Sequence, residues 1–330
     1  MTQGGYMGGT WGPGPVWKGL LRDVLREGHA HTVRGMETTE LSPAVAEMSV
    51  SRGVPFIARP GASLSLACYE TLWVLAGQYH VRGLVAFPYM LKFAEMLDDK
   101  NGFFKGAYGP NVVVGLRHLS KLLTEDLHTR RAFIPVYAME NLEVADWSRD
   151  VPCTLGYHVA FHETPRLGDV LTLTAIMRSS DVWVGMVYDT FLAGSIAHII
   201  AGVVQGLRRQ IEKPQVNVRF MSMSSHVYER NYLDVGTLLN ATDRVPVLNA
   251  MSNFATTMTA VRNRTSAAEE IACAFLTGKV KYSGDADGML FQLRERAAEV
   301  DVPDTSAEFN LLVGACSRVM PGLKVHFHQN

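Results

Sequence analysis

The most apolar stretch of the chain, Val182 to Gln205, strongly constrains what the protein can fold into. Asp189 and His198 lie inside this stretch, and Asp181 immediately precedes it. Because ionisable side chains are costly in the middle of a bilayer, the stretch predicts a buried strand-to-helix segment and not a membrane span. We therefore expect a core built around this segment and no membrane partner.

Composition and charge exclude several classes of protein. Hydrophobic residues make up 47% and charged residues 19% of the 330 residues, as in ordinary globular proteins. A formal net charge of -1 provides no electrostatic footprint for nucleic acid. The four cysteines are widely spaced without a CxxC pair, which favours a reducing cytoplasm over a disulfide framework. His29-His31 and His326-His328 lack a third ligand nearby, so we expect no metal.

Strands and helices interleave without the regular rhythm of a parallel α/β fold. Leu171, Leu173 and Ala175 alternate with threonines, which predicts a half-buried strand paired with an earlier strand over Leu155 to Phe161. Helical periodicity is found near residues 16–25, 63–76 and 116–123, and a polar loop is expected after the first helix. There is no repeat, linker or glycine-rich phosphate motif. The pattern predicts a flexible leader over 1–15 and one α/β domain of α+β type over 16–330, mainly helical and without a recognisable motif from about 248.

Several short motifs follow one another in a fixed order, and each alone is most often a packing, capping or surface feature. In chain order they are Val24-Leu25-Arg26-Glu27-Gly28 with Arg34-Gly35, the helix around Glu70-Thr71-Leu72-Trp73, Gly106-Ala107-Tyr108-Gly109, Arg130-Arg131, Pro152-Cys153, Arg178-Ser179-Ser180-Asp181 with Val184-Gly185 and Tyr188-Asp189, and Ser225-His226-Val227-Tyr228. From Trp17 to Tyr232 this ordered set resembles the thymidylate synthase family.

The resemblance implies a fold, a reaction and a partner. The fold is a mixed β-sheet flanked by helices that dimerises through the sheet. The reaction transfers a one-carbon unit from 5,10-methylenetetrahydrofolate to C5 of a pyrimidine nucleoside monophosphate. The partner is a second copy of the chain, because Arg130 and Arg131 are expected to reach the other subunit's site.

The resemblance also implies catalytic and nucleotide-binding roles. Cys153 would be the thiolate that adds to C6, with Arg178 lowering its pKa and binding phosphate beside Arg34 and Ser179. Arginine forks match a phosphate dianion, which agrees with these assignments. Glu70 would organise water and relay protons. The remaining implied contacts are Tyr108 near the base, His226 and Tyr228 on the ribose 3′-hydroxyl, and Asp181, Val184, Gly185, Tyr188 and Phe93 on the folate side.

One departure from the family pattern concerns the base. Thymidylate synthases have Asn where this chain has Asp189, and an amide matches the O4 acceptor and N3–H donor of uracil. Cytosine inverts this pattern, and a carboxyl group can accept from N4–H and, when protonated, donate to N3. Unpaired polar edges in a desolvated site cost about 1–3 kcal/mol each, enough to discriminate substrates. The Asp form is the one that cytidylate hydroxymethylases of this family carry.

A second departure concerns the fate of the transferred carbon. Synthases shield the exocyclic methylene with a tryptophan in the segment aligned with Lys92 to Asp98, where this chain has Phe93 and Met96 but no Trp. The sequence ends in Lys324-Val325-His326-Phe327-His328-Gln329-Asn330, unlike the short apolar tail that closes the site in synthases. A more open site admits water and favours hydroxymethylation over reduction.

The sequence therefore predicts a cytidylate 5-hydroxymethylase acting on dCMP or CMP, with a slight preference for dCMP. One alternative is a methyltransferase of the thymidylate synthase type that acts on dUMP or another pyrimidine nucleotide. Another, of a different class, is a catalytically inactive homologue that binds a nucleotide, which the retention of Cys153, Glu70 and Arg178 argues against. An unrelated cysteine hydrolase is disfavoured because no Cys-His-Asn arrangement is evident.

Overall fold

A computed structural model describes residues 5–6, 11–51, 55–62, 64–75, 77, 79, 103–146, 148–164, 168–207, 214–241 and 247–249. The helices are α1 (Pro13–Glu27), α2 (Leu64–Leu75), α3 (Gly109–Glu125), α4 (Met139–Ala145), α5 (Gly185–Leu207) and α6 (Tyr232–Asn240). The strands are β1 (Gly5–Tyr6), β2 (His29–Val33), β3 (Met36–Leu41), β4 (Ala44–Ser49), β5 (Pro55–Ile57), β6 (Phe133–Pro135), β7 (Thr154–Thr164), β8 (Gly168–Met177), β9 (Ser180–Asp181), β10 (Gln215–Ser222), β11 (Ser225–Tyr228) and β12 (Val247–Asn249). Phe93 and the C-terminal part predicted to be helical lie outside the described residues, apart from the end of β12.

The larger sheet has the strand order β1-β4-β10-β8-β7-β6. Strands β1 and β4 are parallel, as are β10 and β8, whereas the β4–β10, β8–β7 and β7–β6 pairs are antiparallel. The predicted strand pair is confirmed as the antiparallel β7–β8 hairpin, with Val159 opposite Leu173. The predicted α/β fold with a mixed sheet flanked by helices is confirmed.

A second sheet of four strands has the order β2-β3-β11-β9, and β12 pairs with β5 in a two-stranded sheet. The polar loop expected after α1 is a β-hairpin in the structure, because β2 pairs with β3 along its whole length. All five residues of β2 are exposed, so the strand lacks the alternation of apolar and polar residues that would have revealed it.

The core around α5 confirms the predicted buried segment. Phe191 in α5 is fully buried and packs edge-on against Phe56 of β5 at 6.2 Å between ring centroids. Trp17 of α1 stacks on Trp183 at 5.5 Å, and its indole N–H donates to the Val182 carbonyl oxygen at 2.6 Å. Each such apolar side chain contributes roughly 2–3 kcal/mol on burial. None of the helices among the described residues is long and apolar enough to cross a membrane.

The chain divides into two compact units. One comprises Met1–Ala67, Gly115–Val136 and Cys153–Asn253, and it contains all three sheets. The other comprises Cys68–Val114, Tyr137–Pro152 and Phe254–Asn330. In this second unit Trp73 packs edge-on against Phe104, and the backbone N–H of Gly106 donates to Asp150 at 3.1 Å.

The N-terminal residues include two ordered elements. Within the segment predicted to be a leader, β1 pairs with Val45 and Ala46 of β4, and α1 begins at Pro13. Pro13 stands in the first turn of the helix, where its missing N–H costs nothing. The single domain expected over 16–330 stays a prediction.

Candidate active site

The β7–β8 hairpin brings the cysteine to the arginine–serine pair. Cys153 immediately precedes β7, and Arg178 and Ser179 immediately follow β8. Because Thr154 pairs with Met177 in the antiparallel register, these two ends lie side by side. The backbone N–H of Arg178 donates to the Cys153 carbonyl oxygen at 2.9 Å, and Cys153 Sγ lies 4.0 Å from Ser179 Oγ. The predicted nucleophile and two of the predicted phosphate ligands therefore share one end of the hairpin.

Opposing effects act on the Cys153 thiol. Burial raises its pKa most strongly, the Arg178 charge lowers it, and the Asp189 charge raises it again. The Ser179 hydroxyl and the Arg34 charge also lower it, but the net pKa stays above the ordinary value for cysteine. The expected lowering by Arg178 is therefore present but smaller than the effect of burial. In the ligand-free chain the thiol form is favoured, and the arginines limit the cost of forming the thiolate.

Arg34 occupies the tip of the β2–β3 hairpin. It has a positive φ of 52°, and Gly35 beside it has a φ of 75°, which is the geometry of a two-residue hairpin turn. A positive φ destabilises a residue that has a Cβ by about 1 kcal/mol relative to glycine, so Arg34 lowers the stability of this turn. The Arg34 charge lowers the pKa of both Cys153 and Tyr228. The tip of the hairpin is therefore close enough to Cys153 for the Arg34 charge to favour the thiolate.

The turn between β9 and α5 holds the residues predicted to face the folate. Asp181 Oδ1 accepts the backbone N–H groups of Trp183 and Val184 at 3.0 and 2.8 Å, so this carboxylate caps the turn as an ordinary helix-capping residue does. Burial raises the pKa of Asp181, although the Val184 and Trp183 backbone N–H groups and the charge of His226 lower it in part. The side chains of Val184, Tyr188 and Asp189 are half-buried.

Gly185, the first residue of α5, lies between the side chains of Asp181 and Asp189. A Cβ at this position would lie 3.5 Å from Asp189 Oδ2 and 3.7 Å from Asp181 Cβ. Both distances are ordinary van der Waals contacts, so a side chain would not clash. The backbone of Gly185 therefore lies within van der Waals reach of the side chains of both Asp181 and Asp189.

Strand β11 carries the predicted ribose ligands on one face. His226 is buried, with its ring centroid 5.1 Å from that of Tyr228 in an edge-to-face contact. Strand pairing sets His226 opposite Asp181 of β9, and the Arg230 guanidinium lies 4.9 Å over the Tyr228 ring. Burial raises the pKa of the Tyr228 hydroxyl, and the charge of Asp181 raises it further. His226 and Tyr228 therefore join the same cluster as Asp181 and Arg34.

The double arginine lies elsewhere in this unit. Arg130 and Arg131 form the turn that leads into β6, the edge strand of the larger sheet, and both side chains are exposed. Neither is among the charges that set the pKa of Cys153. Among the residues that the structure describes, no contact brings them to the cysteine of their own chain.

Two predicted residues belong to the second compact unit. Glu70 lies in α2, where it keeps some accessible surface, yet the surrounding protein is dense enough that burial raises its pKa to about 7. Tyr108 immediately precedes α3, and its carbonyl oxygen accepts the first helical hydrogen bond from Val112 at 3.0 Å. A carboxyl group with a pKa near neutrality is suited to proton transfer.

Sequence reasoning missed Glu40 and Ser224, which lie beside His226 in the second sheet. Ser224 is two residues before His226, a spacing that places side chains on one face of an extended chain and could have drawn attention to it. Glu40 could not have been found, since only the β3–β11 register brings it to His226. Among the described residues there is no group of three or more potential metal ligands.

Comparison with known protein families identifies a match. The family model described as thymidylate synthase matches residues 16–265, which is more than half of the 330-residue chain. The matched range contains every residue assigned to the cluster above. No curated protein matches the chain.

Proposed function

The chain belongs to the thymidylate synthase family, and on this premise we propose that it is a cytidylate 5-hydroxymethylase. Membership supports a folate-dependent transfer of a one-carbon unit to C5 of a pyrimidine nucleotide, with methylenetetrahydrofolate as the co-substrate. The proposed substrate is dCMP, or less favourably CMP, and the proposed product carries a hydroxymethyl group on C5. The cytoplasm is its expected location, because the cysteine pattern is typical of a reducing compartment.

The observation that carries the proposal is the carboxyl group of Asp189 beside the nucleophile. Its charge raises the pKa of Cys153, so the two side chains interact in one site. We propose that a pyrimidine whose C6 meets the Cys153 sulfur presents its N3–C4 edge to Asp189. A carboxyl group there pairs with the N4 donor of cytosine, whereas the uracil edge calls for the amide that the family has at this position. This match supports a cytidylate over dUMP.

Side chains around the cysteine supply the nucleotide chemistry. Cys153 Sγ forms a bond to C6, which makes C5 nucleophilic, and Arg178 and Arg34 favour the thiolate while binding the phosphate. When bound, the folate supplies the one-carbon unit. After the new carbon–carbon bond forms, C5 would lose its proton and the bond from the transferred carbon to the folate nitrogen would break, releasing tetrahydrofolate. Water would then add its oxygen to the exocyclic carbon, and the bond from Sγ to C6 would break with its electron pair returning to sulfur. Glu70, with a pKa of about 7, is suited to relay protons in these steps.

The turn at the start of α5 supports a folate site. The proposed folate contacts Asp181, Val184, Gly185 and Tyr188 fall together in this turn and the first helical turn after it, where Asp181 Oδ1 accepts the Val184 N–H at 2.8 Å. The preference for water over hydride rests on the sequence alone, because Lys92 to Asp98, with Phe93 and no Trp, lies outside the described residues.

We further propose that the active form is a homodimer. Arg130 and Arg131 are exposed beside an edge strand and separate from the Cys153 charge cluster of their own chain, which favours a role in the partner's site. One face of the larger sheet also has features of an interface. It carries the exposed Met221 and Phe133 together with the Arg219–Glu47 ion pair at 2.6 Å.

Product analysis tests the proposal. Purified protein is incubated with methylenetetrahydrofolate and dCMP, CMP or dUMP in turn, and the products are identified by mass spectrometry. We expect a hydroxymethyl product from a cytidylate and none from Cys153→Ala. A methyl product, or turnover of dUMP alone, would show a thymidylate synthase-type methyltransferase. No product from any nucleotide, with binding retained, would show an inactive homologue.

A further inference from the structure

A chain of hydrogen bonds across the second sheet ends at His226. Strand pairing sets His226 of β11 directly opposite Glu40 of β3. The Ser224 hydroxyl donates to Glu40 Oε2 at 2.7 Å, and the same hydroxyl oxygen lies 3.5 Å from His226 Nδ1. On the other side, His31 Nε2 lies 3.2 Å from the same carboxylate oxygen.

The ionisation state of Glu40 decides which group donates in each of these hydrogen bonds. Burial raises the pKa of this carboxyl group, but the hydrogen bonds from Ser224 and His31, together with the His31 charge, act in the opposite direction, and the net pKa is below the ordinary value. An ionised carboxylate can only accept hydrogen bonds, so Ser224 donates its single hydroxyl proton to Glu40. The serine oxygen then has only lone pairs to offer, and His226 Nδ1 must supply the proton between them.

A proton on Nδ1 determines what the other ring nitrogen can do. In a neutral imidazole one nitrogen donates and the other accepts, so Nδ1–H leaves Nε2 with a lone pair. We propose that Ser224 and Glu40 are positioning residues that hold His226 in the Nδ1–H tautomer, so that Nε2 accepts from a free 3′-hydroxyl of the nucleotide. The identity of this ligand rests on the proposed function, whereas the tautomer does not.

The proposal predicts discrimination at the sugar. A nucleotide without a 3′-hydroxyl leaves the His226 acceptor unpaired in a buried position, which weakens binding about tenfold. We expect dCMP to bind about tenfold more tightly than 2′,3′-dideoxycytidine monophosphate to the unaltered protein. In Ser224→Ala and Glu40→Gln the two tautomers interconvert freely, and the ratio falls to about two to three. Affinities are measured by calorimetry on the full chain.

Nitrogen NMR of the imidazole rings tests the tautomer without any nucleotide. The His226 signals are identified by their loss in His226→Gln, and the coupling pattern shows which ring nitrogen carries the proton. We expect the Nδ1–H form in the unaltered protein and a mixture in Ser224→Ala and Glu40→Gln. Ser224→Thr keeps the hydroxyl and should restore the unaltered pattern.

Glu37→Gln is the matched control on the same strand. The Glu37 carboxylate accepts from Thr32 Oγ1 at 2.5 Å and lies on the opposite face of β3 from Glu40, so it should leave the His226 signals unchanged. An Nε2–H tautomer in the unaltered protein, or an unchanged tautomer in both Ser224→Ala and Glu40→Gln, would overturn the proposal. If dUMP binds and dCMP does not, the sugar comparison is made with the uridine pair, and the proposed function fails while the tautomer result still decides this inference.

Discussion

Single residues around Cys153 decide when its thiol becomes a nucleophile. Burial keeps the proton on sulfur, while Arg178 and Arg34 favour its loss. Asp189 acts against the arginines, because a negative charge beside a thiolate disfavours it. The proposed base-reading residue therefore also affects the nucleophile. Neutralising Asp189, by protonation or by substitution, should help the thiolate to form.

Two variants around this thiol should shift its pKa in opposite directions. Asp189→Asn removes a negative charge and should lower the pKa of the Cys153 thiol, whereas Arg178→Ala removes a positive charge and should raise it. The pH dependence of Cys153 alkylation by iodoacetamide measures both shifts. Asp234→Asn, an exposed aspartate on α6, is the control and should leave the profile unchanged. Shifts of the same sign in the two variants would show that charge does not control this thiol.

Glu70 adds a pH dependence to stability. Its pKa rises from 4.5 to about 7 on folding, so the folded chain binds a proton that the unfolded chain releases between these values. The stabilisation by Glu70 is complete below about pH 4.5 and is lost as the pH rises through about 7. Compared with Glu70→Gln, the unaltered protein should lose on the order of 2 kcal/mol of unfolding free energy between pH 5 and 8. Urea denaturation at several pH values checks this, and a constant difference would contradict it.

At the scale of elements, the β7–β8 hairpin organises the site and the glycines around it have different functions. Gly156 in β7 faces β6, where a Cβ would lie 2.4 Å from the Phe133 ring and 2.6 Å from the Ile134 carbonyl oxygen. Such distances cannot be tolerated without moving the edge strand. Gly185 instead has room for a Cβ, at 3.5 Å from Asp189. Gly156 is required for the close approach of the strands, whereas a methyl group on Gly185 would make only ordinary contacts.

The two glycines therefore predict contrasting variants. Gly156→Ala should destabilise the fold by about 1–3 kcal/mol, because overpacking forces the backbone apart. Gly185→Ala should change stability by less than about 1 kcal/mol but raise the KM for the folate severalfold. Denaturant melts and steady-state kinetics on both proteins separate the effects. Equal destabilisation by the two substitutions would show that Gly185, like Gly156, is required for packing of the fold.

The sequence predicted the buried elements better than the exposed ones. The β7–β8 hairpin and α5 have strong apolar patterns, and their predicted bounds are within a few residues of the observed ones. The β2–β3 hairpin was missed because its first strand is wholly exposed and its turn is Arg34-Gly35, where Asn-Gly or Asp-Gly is the usual signal. Among site residues, Glu40 was missed because its position opposite His226 depends on strand register, which local patterns do not specify. Ser224 is two residues from His226, so its contact is local and a closer reading of the spacing could have found it.

For the molecule as a whole, the proposed homodimer would complete each active site with residues from a second copy of the chain. Arg34 and Arg178 act on Cys153 within one chain, but Arg130 and Arg131 lie at an exposed turn next to β6. A two-fold symmetric dimer contains two equivalent sites. Each chain would therefore contribute its Arg130 and Arg131 to the partner's site, and the partner's two arginines would complete its own site. Glu70 and Tyr108, which belong to the second compact unit, stay predicted participants in this reaction.

Shared sites predict complementation between inactive variants. Cys153→Ala destroys the site on its own chain, and a double change of Arg130→Ala and Arg131→Ala destroys the site on the partner. Mixing the two after reversible dissociation gives heterodimers with one intact site, so activity should return to about a quarter of that of the unaltered enzyme. No recovery, with exchange of subunits verified by mass spectrometry, would show that the arginines act within their own chain.

The selection of a cytidylate by Asp189 is tested by the substrate specificity of Asp189→Asn. The ratio of kcat/KM for dCMP to kcat/KM for dUMP is measured for both proteins with methylenetetrahydrofolate. A mismatched base edge costs about 1–3 kcal/mol, so we predict a ratio well above one for the unaltered enzyme and a reduction of about tenfold or more, towards dUMP, in the variant. A ratio below one in the unaltered enzyme, or a ratio that Asp189→Asn leaves unchanged, would show that Asp189 does not select the base.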